Sequence, residues 1–182
     1  MEGGINSWKG LTAEGPPESG MAYFPEASKP EELIALAWLL EDGSRKFYSS
    51  LAGLLTDHEA KGLFTELTAA EERHQALLLD LHKAGSGATC DSGFPGAAIS
   101  SGNEGDVMEG GRRVSEALHW AGGKSLTEIV EFALSLETNS YDLYVKMGRR
   151  MKDRRSAQVF HVLSGEEKLH LERLSSLLEK KM

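Results

Sequence analysis

A chain of 182 residues with 40 % hydrophobic and 26 % charged residues has the composition of a folded globular domain, not of a disordered chain or a membrane protein. Its 20 basic and 28 acidic residues leave a net charge of −8, the wrong sign for a protein that grips nucleic acid through phosphates. The single Cys90 excludes an internal disulfide, a four-Cys zinc site and a built-in rubredoxin-type iron centre; with no bilayer-spanning apolar run and no readable signal peptide, the expected compartment is the cytoplasm.

Glycine and proline set the organisation. Four of the five Pro lie between residues 16 and 30, and ten of the 20 Gly lie between 84 and 123. One residue type locks φ and the other costs backbone entropy, so both punctuate a chain. The sequence therefore predicts an irregular tail over 1–28 and a helical domain over 29–182, the latter interrupted by a Gly-rich crossover at 84–124.

The first helix begins at Lys29-Pro30-Glu31-Glu32, with Ser28 placed to cap it and two Glu at its positive end. Leu33, Leu36, Ala37, Leu40, Phe47, Leu51 and Leu54 recur at helical spacing. Thr56 or Asp57 caps a second helix that runs to about Lys83, with Leu63, Phe64, Leu67, Ala70, Leu77, Leu78 and Leu81 on its apolar face. Within the crossover, Arg112 to Ala121 reads as a short helix and the remainder as mobile. Ser125 and Glu128 form a capping box ahead of a third long periodic run, and a break near Lys152-Asp153 starts the last helix, which ends near Lys180. Four helices of about 25 residues, each about 38 Å long, make an all-α bundle.

The two halves match at an offset of 96 residues. Glu41 pairs with Glu137, Ser44 with Ser140, Tyr48 with Tyr144, Phe64 with Phe160, Leu67 with Leu163, Glu71 with Glu167 and His74 with His170. The repeat implies two helical hairpins related by a pseudo-twofold axis. In each, 30 residues separate the leading Glu from the second one, with a turn halfway. Going up about 22 Å and returning the same distance brings both Glu to one level. Four Glu and two His then share one layer near mid-bundle, among core-like positions such as Leu40, Ala70, Leu136 and Leu174.

Glu71-x-x-His74 and Glu167-x-x-His170 each put a carboxylate and an imidazole on one helix face. Four carboxylates buried together repel and take up protons unless cations balance them. Two divalent ions would neutralise all four with both His uncharged. A single Glu on each of two helices and Glu-x-x-His on two more is the arrangement of di-iron carboxylate bundles.

On Glu41, Glu71, His74, Glu137, Glu167 and His170, residues 31 to 180 resemble the rubrerythrin branch of the ferritin-like superfamily, in its stand-alone form without a rubredoxin domain. The resemblance implies a ferritin-like four-helix bundle in which these six residues bind two iron ions per subunit. Zinc or manganese could replace them, because carboxylate-rich sites accept all three metals. It implies an oxidoreductase of oxidative stress that reduces hydrogen peroxide or dioxygen, with a separate redox protein as electron donor. Tyr48 and Tyr144 match aromatic residues beside the metals and are the candidate catalytic side chains. The sequence departs from the family at Leu134, where rubrerythrins carry an additional carboxylate, so its symmetric six-ligand pattern is closer to bacterioferritin-type centres.

Elsewhere, Gly3, Gly4, Ile5 and Trp8 resemble the closing segment of a rhodanese domain, without that family's catalytic Cys loop. His58, His82, His119 and His161 have no repeat mates and read as surface or capping residues. Arg149, Arg150, Lys152, Arg154 and Arg155 form a basic turn. The unpaired apolar residues of the tail, Trp8 and Phe24 among them, point to a homodimer. Two other functions compete with the oxidoreductase: iron binding or handling without turnover, and a non-enzymatic helical dimer module that holds zinc adventitiously.

Overall fold

The computed structural model of the chain describes residues 29–86, 94–95 and 106–182. In chain order the elements are α1 (Pro30–Leu54), α2 (His58–Ser86), β1 (Val107–Met108), a 3-10 turn (Glu109–Gly111), β2 (Arg112–Arg113), α3 (Val114–Ala121), α4 (Leu126–Arg150) and α5 (Arg154–Lys181). The described chain is mostly helical, as the periodicity predicts. No helix in it is long and apolar enough to cross a membrane. The tail over 1–28, with its rhodanese-like residues, lies outside the described residues, as does Cys90.

Each long helix starts where a side chain satisfies the free N–H groups of its first turn. Asp57 accepts from the Ala60 N–H at 3.0 Å and Asp153 from the Ser156 N–H at 2.7 Å. The Ser125–Glu128 box is closed in both directions, at 3.3 and 2.9 Å. The start of α1 differs from expectation. Lys29 occupies its cap position, and the backbone N–H of Lys29 donates to Glu32 at 3.1 Å, so only the acidic half of a box holds this end. The turns over 55–57 and 151–153 are short. α1 packs along α2, α4 along α5, and α2 against α5.

The apolar core falls into two clusters. One gathers Phe47, Leu51, Phe64, Leu67, Ile129, Val130, Leu174 and Leu177. The other gathers Leu33, Leu36, Leu40, Leu78, Leu81, Leu143, Met147, Phe160 and Leu163. Along every long helix the same residues fall between these clusters: Glu41 and Ser44, Glu71 and His74, Glu137 and Ser140, Glu167 and His170. A polar layer thus crosses the middle of the molecule, walled at both ends by hydrocarbon.

From Asp106 onwards, the described end of the crossover holds more regular structure than the short helix that the sequence predicts. Its residues 106–121 form a ribbon, a turn and a helix. α3 begins at Val114, not Arg112, because Met108 pairs with Arg112 and Val107 with Arg113. Asp106 ties off the base of the ribbon: its carbonyl accepts from the Val114 N–H at 2.8 Å and its carboxylate from the Ser115 hydroxyl at 2.6 Å. Gly110 and Gly111 both have φ +69°, a conformation that a side chain resists. The ribbon packs on α1 and its turn on α1 and α4. Gly43 makes this docking feasible. A Cβ there would stand 2.2 Å from the Val107 carbonyl oxygen and 2.7 Å from the Met108 Cα.

Candidate metal centre

The six residues singled out as ligands all lie in the polar layer, and all are buried. The four Glu have no solvent exposure, while His74 retains 1 % and His170 5 %. They converge in two groups, Glu41-Glu71-His74-Glu167 and Glu71-Glu137-Glu167-His170, each with its potential donor atoms within 4.8 Å of one another. Glu71 and Glu167 belong to both groups and stand between them. Nδ1 of His74 lies 3.0 Å from Glu71, 3.2 Å from Glu41 and 3.2 Å from Glu167. Nδ1 of His170 lies 3.1 Å from Glu137 and 3.2 Å from Glu167. Both imidazoles therefore turn the same nitrogen towards the carboxylates, and their rings stack at 5.6 Å.

The electrostatics are those of a cage crowded with negative charge. Burial, then the neighbouring charge of Glu41, pushes the Glu71 carboxyl well above the ordinary Glu value. Burial and the charges of Glu137 and Glu71 do the same to Glu167. Burial also works against ionised Glu41, but the charge of His74 and bonds from Glu71, His74 and Tyr144 outweigh it and hold that carboxyl below the ordinary value. Bonds from His170 and Glu167 hold Glu137 down against the same burial. Burial disfavours a charged His74, yet the Glu41 charge and a bond to Glu166 raise it well above the ordinary His value. By themselves these residues must keep protons to share one dry layer.

The donor set fits divalent metal. Two buried oxygens, Oε1 of Glu71 and Oε1 of Glu167, accept no hydrogen bond among the described residues, and these belong to the two shared carboxylates. An orphaned buried acceptor costs about 1–3 kcal/mol. A cation between the groups would satisfy both, and would displace the protons that the crowded carboxyls otherwise retain. Oxygen and imidazole donors suit iron, manganese and zinc.

The two tyrosines stand behind the outer carboxylates in a crossed arrangement. Tyr48 donates to Glu137 at 2.5 Å, and Tyr144 donates to Glu41. Each half of the repeat thus supplies the phenol that orients the other half's Glu. Each ring is buried beside the matching Phe, Tyr48 against Phe64 and Tyr144 against Phe160. Burial and the charge of Glu137 raise the Tyr48 hydroxyl well above its ordinary value; burial and Glu41 do so for Tyr144. Both remain phenols, hydrogen-bond donors and not competing ligands.

One residue of the layer escaped the sequence analysis. Glu109, at the tip of the crossover ribbon, is 1 % exposed. The Ser44 hydroxyl donates to it at 2.9 Å, and the Tyr144 hydroxyl lies 3.5 Å away. Burial, with the charges of Glu41 and Glu137, pushes its carboxyl well above the ordinary value, against the pull of Ser140 and Ser44. It stands outside both donor groups. Ser44 and Ser140 were visible as repeat mates, and two small hydroxyls on an apolar face are the signal that something polar must meet them. A second reading needs correction. His82 is no surface residue: it is 7 % exposed, its ring lies 4.3 Å from that of Phe94, and neither nitrogen is hydrogen-bonded among the described residues. The C-terminal end of α2 buries it under the one described piece of the crossover's first part. His58, His119 and His161 are exposed as expected.

No family model and no curated protein matches the chain. It is similar to the solved structure of a hypothetical protein from Pyrococcus furiosus, with a TM-score of 0.63 and 24 % identity, covering 91 % of this chain and 95 % of that one. That likeness is one of fold alone.

Proposed function

We propose that the chain is a ferritin-like bundle of the rubrerythrin type, two hairpins about a pseudo-twofold axis, whose centre holds two irons and reduces hydrogen peroxide or dioxygen. The observation that carries this reading is the doubled ligand set, six buried residues in two groups that share Glu71 and Glu167. Glu71 and Glu167 would bridge; Glu41 and His74 would hold one ion, and Glu137 and His170 the other. When bound, a pair of redox-active ions supplies the two electrons that peroxide reduction consumes. The chain's own part is to exclude water and fix the donors. Two apolar clusters close the layer from above and below. Tyr48 and Tyr144 hold the outer carboxylates in place, and such outer contacts typically contribute 10–100-fold to affinity or activity.

A second reading, iron binding or handling without turnover, draws support from two residues. Cys90 is the single cysteine of the sequence, and one thiolate cannot hold an iron–sulfur relay, so the enzymatic reading assigns the supply of electrons to a separate redox protein. Leu134 stands where the resemblance calls for an extra carboxylate. Assembly as a homodimer through the tail belongs to the proposal as well, and light scattering tests it. The two readings separate in one experiment: metal analysis of anaerobically purified protein, followed by stopped-flow oxidation of the Fe(II) form by peroxide. Two irons and oxidation faster than that of free Fe(II) support the enzyme. Two irons with oxidation no faster support the binder. Failure to hold iron, manganese or zinc refutes both.

A further inference from the structure

The donor residues of the two halves match one for one, so a difference in kind between the two metal positions is to be sought in residues without a repeat mate. One such residue touches a ligand. Nε2 of His74, the nitrogen that faces away from the cage, lies 3.1 Å from Oε2 of Glu166. The residue 96 positions earlier is Ala70, whose methyl group cannot accept a hydrogen bond. Nε2 of His170 accordingly has no hydrogen-bond partner among the described residues, whereas its Nδ1 is engaged much as that of His74 is. Resting on the metal-centre reading, we propose that Glu166 makes the two positions unequal, so that the position built on Glu41 and His74 fills before the one built on Glu137 and His170.

The physical reason lies in the imidazole. A neutral ring carries its proton on one nitrogen and its lone pair on the other. A carboxylate that accepts from Nε2–H fixes the tautomer with a free lone pair on Nδ1, aims the ring and makes Nδ1 a stronger donor. His74 has that partner already in place. His170 has no such carboxylate on Nε2 among the described residues. Partners of this kind typically change metal affinity 10–100-fold. Glu109 has no mate either, but it bonds Ser44 and approaches Tyr144 and stands outside both donor groups, so it touches no ligand directly. The tyrosines do not set the order, since each half has one.

Glu166 is suited to a test because its side chain is 38 % exposed, so removing it leaves no cavity in the core. The experiment is an anaerobic titration of the metal-free full chain with Co(II), followed by visible absorption and calorimetry. The wild-type chain should take up two ions in two steps, with dissociation constants about 10–100-fold apart. Glu166→Ala should still bind two, with the steps merged to within about threefold. Glu166→Gln keeps an acceptor oxygen while losing the charge, and should narrow the gap part of the way. It also stands in if Glu166→Ala folds poorly by circular dichroism. The tight step should survive His170→Ala and vanish in His74→Ala. Two equal steps in the wild type, an undiminished gap in both Glu166 variants, or a tight step that depends on His170 would each overturn the proposal while leaving a two-metal centre intact. No uptake of Co(II) at all would overturn the centre and this inference together.

Discussion

Each of the two helix pairs carries three donors and one phenol at matched positions, yet they differ where each meets something unmatched. Gly43 faces the crossover ribbon, and its mate Asn139 faces Gly110, with its amide nitrogen 3.0 Å from where a Cβ would be. Glu166 touches a ligand, and its mate Ala70 does not. The resemblance between the halves is therefore densest at the donors and phenols; it lapses at Gly43 and Asn139, where the crossover docks, and at Ala70 and Glu166, on the facing helices α2 and α5. That contrast separates residues that define the centre from residues that adapt each half to its surroundings.

The most drastic way to break the comparison is to remove a shared donor. Glu71→Ala takes a carboxylate from both groups, whereas Glu41→Ala takes one from a single group. Elemental analysis should find less than one ion per chain in the first and about one in the second, with affinity in the first lowered by at least about 100-fold, beyond the range of an outer contact. Equal loading in the two variants would mean that Glu71 is not shared.

Gly43 and Gly62 offer a comparison of packing. Gly43→Ala forces a methyl group into the ribbon backbone and should cost about 1–3 kcal/mol in chemical denaturation, as overpacking does. Gly62→Ala meets nothing within 4 Å on the face of α2 and should gain about 0.5–1 kcal/mol through helix propensity.

The metal-free chain should show the crowding through its pH dependence. Glu71, Glu167 and Glu109 keep protons in the fold that the unfolded chain releases near 4.5. The folded state then binds more protons, so these groups lose stability as pH rises above that value. His74, raised above 6.5, adds stability that is present at lower pH and is lost as pH rises through its folded value. Glu41 and Glu137 act in the opposite sense, their contribution falling away only below about 4.5. From about pH 6 to pH 8.5 the melting temperature of chelator-treated protein should therefore fall, while that of metal-loaded protein should move less. A rise over that range would contradict the proton-filled cage.

The smallest effect concerns the helix starts. Ser125→Ala removes half of a closed box and should cost about 1 kcal/mol. Lys29→Ala leaves the Lys29 N–H to Glu32 bond intact and should fall within about 0.5 kcal/mol of wild type, as most surface changes do.

The donor residues were legible because helices are periodic. Equal arms of 15 residues on either side of a short turn return Glu71 to the level of Glu41, and the repeat supplied an independent copy of the same arithmetic. Glu109 was not legible, because its placement depends on a ribbon of two short strands in a Gly-rich segment, where no period links sequence to position. Gly43 and Ser44, two small residues in succession on a helix of large apolar ones, were the trace that the ribbon left in the sequence of its neighbour. His82 was missed for a related reason: its cover comes from Phe94, across a connection whose course composition alone does not give.

The crossed phenols have a consequence for how the molecule is built. Tyr48 serves Glu137, and Tyr144 serves Glu41, so neither helix pair can finish its own half of the layer. Two separate copies of one hairpin, meeting face to face, would exchange these phenols and assemble a fully symmetric centre with no connection at all. Joining the copies in a single chain frees each from having to be identical to its partner. The linker can then send one carboxyl, Glu109, into the shared interior. A pair of identical half-chains would have to place such a group twice.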